Sequence, residues 1–174
     1  EQYSHLFSTT SLVAGFLGII AGGALADFFG KRRMMSIYLL LFAAVMIVMA
    51  MLKSYWNTQH VVSGFMGVYY TLYVFISIAS FAIGMQLCWP RISATQFTLY
   101  MAMANVGRSV GAALLGPLKS RLPWEHIFYF IALLSVGSLF FVMILRMKKH
   151  LVSVEELEAK QLDKEEDLLK KLII

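Results

Sequence analysis

One short segment closes the first apolar run of the chain and sets its orientation: Gly23-Ala24-Leu25-Ala26-Asp27-Phe28-Phe29-Gly30-Lys31-Arg32-Arg33. It holds one carboxylate, then a glycine, which permits a tight turn, and then three cations. Cations at this position extend toward the anionic headgroups at the edge of a bilayer. An ordinary basic loop explains the cations but not the carboxylate of Asp27, which is placed to stabilise the N-terminus of a neighbouring helix. The segment therefore predicts a sharp turn between two membrane helices.

The composition of the whole chain agrees with a membrane protein. Of the 174 residues, 59% are hydrophobic and 14% are charged, whereas a soluble domain is about half apolar and about a quarter charged. This composition argues against a soluble globular enzyme and against a disordered chain. The single cysteine, Cys88, argues against a small disulfide-stabilised secreted module. The predicted fold class is all-α and integral to the membrane.

Five apolar segments are long enough to cross a hydrocarbon core of about 30 Å, which needs roughly 20 residues of helix. These predicted spans are residues 8–26, 34–52, 61–89, 94–118 and 127–145. We expect residues 1–147 to form a partial transmembrane half. Five spans with no signal peptide and an external first residue are expected to be the latter part of a longer protein.

The remaining residues, 148–174, differ in character. They hold six lysines and seven acidic residues, and they are predicted to form a polar helix in the cytoplasm.

The distribution of basic residues predicts which side faces the cytoplasm. Seven cations fall on one side of the predicted spans, and three fall on the other (Lys31, Arg32, Arg33, Arg91, Arg146, Lys148 and Lys149 against Lys53, Lys119 and Arg121). The positive-inside rule places the richer side, and with it the C-terminus, in the cytoplasm. The net charge of +5 is therefore a membrane signal, and we expect no nucleic-acid partner.

The opening segment resembles the loop motif of the major facilitator superfamily, in which the pattern is roughly G-x-L-a-D-r-x-G-(R/K)-(R/K). Six residues match, and Phe28 replaces the usual arginine (Gly23, Leu25, Asp27, Gly30, Lys31 and Arg32). In that superfamily the motif follows helix 2 and, in a weaker form, helix 8. The resemblance implies a gating motif formed by Gly23, Asp27, Gly30, Lys31 and Arg32, in which Asp27 helps to hold a conformational gate.

The fourth span carries a second resemblance. Ser93-Ala94-Thr95-Gln96-Phe97-Thr98-Leu99 is followed by Asn105-Val106-Gly107-Arg108 and then by Gly116-Pro117. This pattern is similar to helix 11 of the AmpG-type muropeptide permeases, a family that also includes acetyl-CoA transporters. The resemblance implies that residues 8–145 are equivalent to helices 8–12 of a twelve-helix major facilitator fold.

That resemblance also implies a function. We expect a secondary active transporter of the cell inner (plasma) membrane that moves a small polar or anionic solute by alternating access. A muropeptide-like cargo is favoured, and proton coupling is expected. The partners implied are the small-molecule substrate, the lipid bilayer and the missing N-terminal half of the same transporter, and no cofactor is implied. The alternative is a standalone five-span membrane scaffold or partner subunit without transport activity.

Arg108 is the principal candidate for substrate binding. It lies about 21 Å along span four at 1.5 Å per residue, near the middle of the bilayer, where an ionised arginine costs about 2.5–3.5 kcal/mol on insertion scales. It is therefore expected to pair with an anionic substrate, or else to anchor the helix bundle through carbonyls or an acidic residue. Three further candidates for the same path are Asn105, Gln96 and Tyr73. Tyr73 belongs to a group with Tyr69 and Tyr70 that is expected to share one helix face.

Two other patterns have simpler explanations. Gly18 with Gly22, and Gly107 with Gly111, form G-x-x-x-G pairs, which are expected to let helices approach closely. The sequence around Ser109 matches the G-x-S-x-G nucleophile elbow of hydrolases, but that motif requires a strand before the serine. Because this segment is predicted to be an apolar helix, and because no metal-ligand spacing occurs within the spans, we expect no enzyme.

Overall fold

The computed structural model describes residues 2–144, 152–162 and 164. Within these ranges, it describes the side chains of residues 15 and 16 and of all residues from 18 onward. It contains five long helices: α1 (Gln2–Phe29), α2 (Lys31–Met51), α3 (Gln59–Leu87), α4 (Ser93–Arg121) and α5 (Trp124–Ile144). Two short 3-10 turns, Lys53–Tyr55 and Pro90–Ile92, lie in the connections before α3 and α4. Residues 152–162 of the tail are also helical. The expectation of an all-α protein is confirmed.

The five helices coincide with the five predicted spans, with differences at the ends. The third span was predicted to reach residue 89, but α3 ends at Leu87. Pro90 explains this difference, because a proline disfavours helical backbone in the residue before it. Trp89 accordingly has an extended backbone.

Three helices are long and apolar enough to cross a membrane when only the described residues are considered: α2, α3 and the α5 helix. The α4 helix has 29 residues, but it carries arginine, asparagine, glutamine and several hydroxyl groups that lower its hydropathy. The protein is a helical, multi-pass membrane protein, and the membrane crossing of α1 and α4 remains a prediction.

Short connections make consecutive helices run up and down. A single residue, Gly30, separates α1 from α2, and two residues separate α4 from α5. The α2 helix is at the centre, packing against both α3 and α5, while α1 packs mainly on α3. One buried cluster joins α1, α2 and α3 (Ala26, Met34, Tyr38 and Ala79), and a second joins α2 to α5 (Ala43, Met46 and Ala132).

The end of the bundle opposite the α1–α2 turn is rich in aromatic contacts. Trp56 packs edge-on against Phe128 with ring centroids 5.7 Å apart, and its indole donates to the Met49 carbonyl at 2.9 Å. Lys53 and Glu125 form an ion pair at 2.5 Å between the ends of α2 and α5. Tryptophan and lysine at one end of a helix bundle are typical of a membrane–water interface.

Candidate functional site

The turn between α1 and α2 adopts the sharp geometry that the sequence predicted. Gly30 has φ +90°, and among the described residues it alone has a positive φ. An L-residue pays a steric penalty in that region, so this position requires glycine. The carbonyl of Gly30 then accepts the N–H of Met34 at 3.1 Å, which starts α2.

Both kinds of charge in this segment are unfavourably placed with respect to their own helices. Asp27 lies in the last turn of α1, where the helix dipole is negative, and the cations Lys31, Arg32 and Arg33 lie in the first turn of α2, where it is positive. Such charges are more favourably placed where they meet the oppositely charged end of another helix.

Arg32 makes such an interaction. Its Nε donates to the carbonyl of Val142 at 3.1 Å, and its Nη2 donates to the carbonyl of Met143. Both carbonyls belong to the last described turn of α5, where a cation is favourable. Arg32 therefore joins the α1–α2 turn to α5 across more than 100 residues of sequence, a role that sequence reasoning missed.

Asp27 has no such partner within the described residues. Its side chain is exposed, and no hydrogen bond or ion pair involves it there. Of the other motif residues, Lys31 is half-buried, and Gly23 is half-buried with open space where a Cβ would lie. The gating role of the motif stays a prediction.

The α4 helix touches the bundle only near its two ends. Near its start, Phe97 meets Phe81 of α3 with ring centroids 6.5 Å apart, and Tyr100 lies over Gly84. Near its end, the ammonium of Lys119 lies 5.1 Å from the centre of the Trp124 ring. Every residue from 102 to 117 between these contacts is exposed.

Arg108 and Asn105 lie within this exposed middle segment of α4. The side chain of neither residue makes a hydrogen bond or ion pair to another described residue. Arg108 thus has no structural anchor in the described part of the chain. Within a bilayer, its charge therefore requires a water-filled path or a counter-ion from outside the described residues.

Gln96 has a local contact at the start of α4. Its side-chain oxygen accepts the backbone N–H of Trp89 at 2.6 Å, which fixes the connection between α3 and α4. The structure gives Gln96 this positioning contact and places it more than three helical turns from Arg108. Its substrate role is untested.

The three tyrosines of α3 lie within about 100° on one side of the helix, with Tyr73 between Tyr69 and Tyr70, as the sequence predicted. Tyr69 contacts α2: its ring centroid lies 5.6 Å from that of Phe42 on α2, and 5.9 Å from that of Phe65, one turn earlier on α3. The ring centroids of Tyr70 and Tyr73 lie 6.2 Å apart, and Tyr73 is 38% exposed. Tyr69 and Tyr70 lie at opposite edges of this side, because adjacent residues are about 100° apart around a helix.

The two G-x-x-x-G pairs also differ in their contacts. A Cβ added to Gly18 would lie 2.9 Å from Cγ1 of Val74, and one added to Gly22 would lie 3.1 Å from the Phe75 ring. The structure confirms that α3 packs closely against α1 at these two glycines. Gly107 and Gly111 on α4 face open space within the described residues.

Ser109 lies in the middle of the α4 helix, so the strand-to-helix context of a nucleophile elbow does not exist at this position. Among the described residues, no three side chains of the His, Cys, Asp and Glu types form a group able to hold a metal ion.

These features define a class of protein: a multi-pass helical membrane protein with a sharp charged turn between two helices and one polar helix that contacts the bundle only near its ends. The profile of the Major Facilitator Superfamily matches residues 1–173. The chain therefore belongs to this superfamily, whose members are transporters rather than enzymes. No match to the chain is found among curated proteins or among solved structures.

Proposed function

We propose that these helices belong to the second half of a secondary active transporter, in which α4 borders the path of the solute. Exposure of residues 102–117 on α4 supports the proposal, because this segment has the polar groups that a transport path needs. Carriers of this type bind their substrate near the membrane midplane between two halves. The first half would cover this side of α4.

Arg108 is the single observation that carries the proposal. It is the sixteenth of the 29 residues of α4, close to the middle of the helix. An arginine at the bilayer centre is tolerated where it faces water or an anion. A solute with a carboxylate or phosphate supplies such an anion, and Asn105 lies one turn away to add an amide.

A small polar or anionic solute is accordingly the proposed cargo, with a muropeptide-like molecule favoured by the resemblance of α4 to the AmpG-type permeases. The charge distribution supports a cytoplasmic C-terminus, and the resemblance to the AmpG-type permeases supports a location in the inner membrane.

Asp27 would contribute to gating in the complete carrier. Its position at the negative end of α1 is locally unfavourable, so a helix N-terminus from the first half would stabilise it in one conformation and release it in the other. A contact that forms in only one of two conformations shifts the equilibrium toward that conformation.

Proton coupling requires a carboxylate that can take up a proton within the membrane. Between residues 15 and 144, the acids are Asp27 at the membrane edge and Glu125, which is paired with Lys53. We therefore propose that the coupling acid lies elsewhere in the carrier. Uptake that persists in the presence of a protonophore would contradict proton coupling.

The test of the proposed function is uptake by the intact transporter reconstituted in proteoliposomes. Arg108→Ala is expected to abolish uptake while the protein remains folded and monodisperse. Arg108→Lys is expected to retain a part of it, because lysine keeps the charge but loses the two-pronged contact. Arg121→Ala, an exposed arginine at the end of the same helix, is the matched control and should leave uptake intact. Unchanged uptake in Arg108→Ala would overturn the assignment, and no uptake by the wild type would favour a scaffold.

A further inference from the structure

We propose that Tyr70, Tyr73 and Arg108 form one binding site that takes a carboxylate attached to a ring, either a sugar acid or an aromatic acid. The inference rests on the proposed function, and it adds a second wall and a ligand class to the site around Arg108.

The contact between Phe81 and Phe97 fixes the register of α3 against α4. The two helices are consecutive and run in opposite directions, so equal distances before Phe81 and after Phe97 reach the same height. Eleven residues is about three turns, or roughly 16 Å. Eleven residues before Phe81 lies Tyr70, and eleven after Phe97 lies Arg108.

The same count also preserves the helix face, since eleven residues exceed three full turns by only about 20°. Tyr70 therefore shares the face of Phe81, and Arg108 shares the face of Phe97. Tyr73 is eleven residues before Gly84, which Phe97 and Tyr100 cover. The tyrosine pair and the arginine thus lie at the same height on the facing sides of α3 and α4.

A gap separates these two facing sides. If α4 packed on α3 along its whole length, its residues near Arg108 would be buried, but residues 102–117 are all exposed. Tyr73 likewise keeps 38% of its surface exposed. The helices meet near Phe97 and diverge beyond it, which leaves space for a ligand beside the exposed tyrosine ring.

The chemistry of the two walls selects the ligand. A guanidinium matches a carboxylate through two parallel N–H···O bonds. The tyrosine rings, whose centroids are 6.2 Å apart, offer a broad apolar surface with polar hydroxyl tips. A rigid ring satisfies the tyrosine wall, and a carboxylate on that ring satisfies Arg108.

The test is equilibrium binding of four radiolabelled probes to the purified, intact transporter: glucuronate, 4-hydroxybenzoate, glucose and lactate. Glucuronate or 4-hydroxybenzoate, or both, should bind roughly tenfold or more tightly than glucose, which lacks the carboxylate, and lactate, which lacks the ring. The acid that binds more tightly shows whether the ring of the preferred ligand is a sugar or an aromatic ring. Equal binding of lactate or glucose, or no binding of either ring acid, would overturn the inference.

Variants separate the two walls. Tyr73→Leu removes the ring and should weaken binding of the preferred acid several-fold, whereas Tyr73→Phe should retain most of it. Tyr129→Leu replaces an exposed tyrosine of α5 and is the matched control. Equal loss in all three variants, or none in Tyr73→Leu, would contradict a specific ring contact. Failure of transport is recorded separately, because binding without accumulation in vesicles contradicts the proposed function but not the site.

Discussion

Arg32→Ala is expected to loosen α5 from the α1–α2 turn. The substitution removes two charge-assisted hydrogen bonds, to the carbonyls of Val142 and Met143. Hydrogen bonds to charged groups contribute about 1.5–3 kcal/mol each when well shielded, but the Arg32 side chain is exposed, and solvent screening reduces that contribution. A cation at a helix C-terminus contributes about 0.3–1 kcal/mol.

One effect acts in the opposite direction. Arg32 also lies at the positive N-terminus of its own helix, α2, so its removal relieves about 0.3–1 kcal/mol of repulsion there. The net loss is therefore about 1–2 kcal/mol. For a chain of this size, each kcal/mol lowers Tm by roughly 2–4 °C, which predicts a decrease of about 2–8 °C.

Thermal unfolding of the purified protein in detergent checks this prediction. Arg33→Ala is the matched control, because the neighbouring arginine makes no polar contact within the described residues. Its Tm should not fall, and relief of the same repulsion at the N-terminus of α2 should raise it by up to about 4 °C. Arg32→Lys should lie between the two, because lysine cannot reach both carbonyls in the same way. Equal changes of Tm in Arg32→Ala and Arg33→Ala would refute the role of Arg32 in linking the α1–α2 turn to α5.

Two further predictions concern glycines of α1 and the turn. Gly18→Leu should separate α1 from α3 and lower the folded yield and Tm, because even a Cβ would lie 2.9 Å from Val74. Gly15→Leu on the same helix meets open space and is the control; equal folded yield and Tm of the two variants would contradict close packing at Gly18. Gly30→Ala should destabilise the protein by about 1–2 kcal/mol because its φ of +90° is strained for alanine, and a Tm equal to the wild type would show that the turn adopts another conformation.

Local chemistry accounts for the parts of the structure that were predictable. The glycine, the charges and the apolar run between Gly23 and Arg33 predict a turn because each acts within a few residues. The five helices follow from the length of the apolar segments. Gly18 and Gly22 were correctly assigned to close packing, since small residues permit it wherever a neighbouring helix lies.

Contacts between distant helices were not predictable in this way. Arg32 lies about 110 residues from its acceptors on α5, and no periodicity relates them. Tyr69, Tyr70 and Tyr73 were correctly grouped on one side of α3, but the contact of Tyr69 with Phe42 on α2 was not predictable from that grouping. Gly107 and Gly111 carry the same pattern as the first pair, and they face open space because α4 touches the described bundle only near its ends.

In the proposed carrier, the middle of α4 borders an aqueous solute path on the side that bears Arg108. Ala104 lies one turn before Arg108 on that side, and Val106 lies on the opposite side of the helix. In a cysteine-free background of the intact transporter, which includes Cys88→Ser, each position is replaced singly by cysteine and exposed to a membrane-impermeant thiosulfonate reagent. Ala104→Cys should react and should be protected by a transported solute, while Val106→Cys should not react. Equal reactivity at the two positions, or an unreactive Ala104→Cys, would contradict the account.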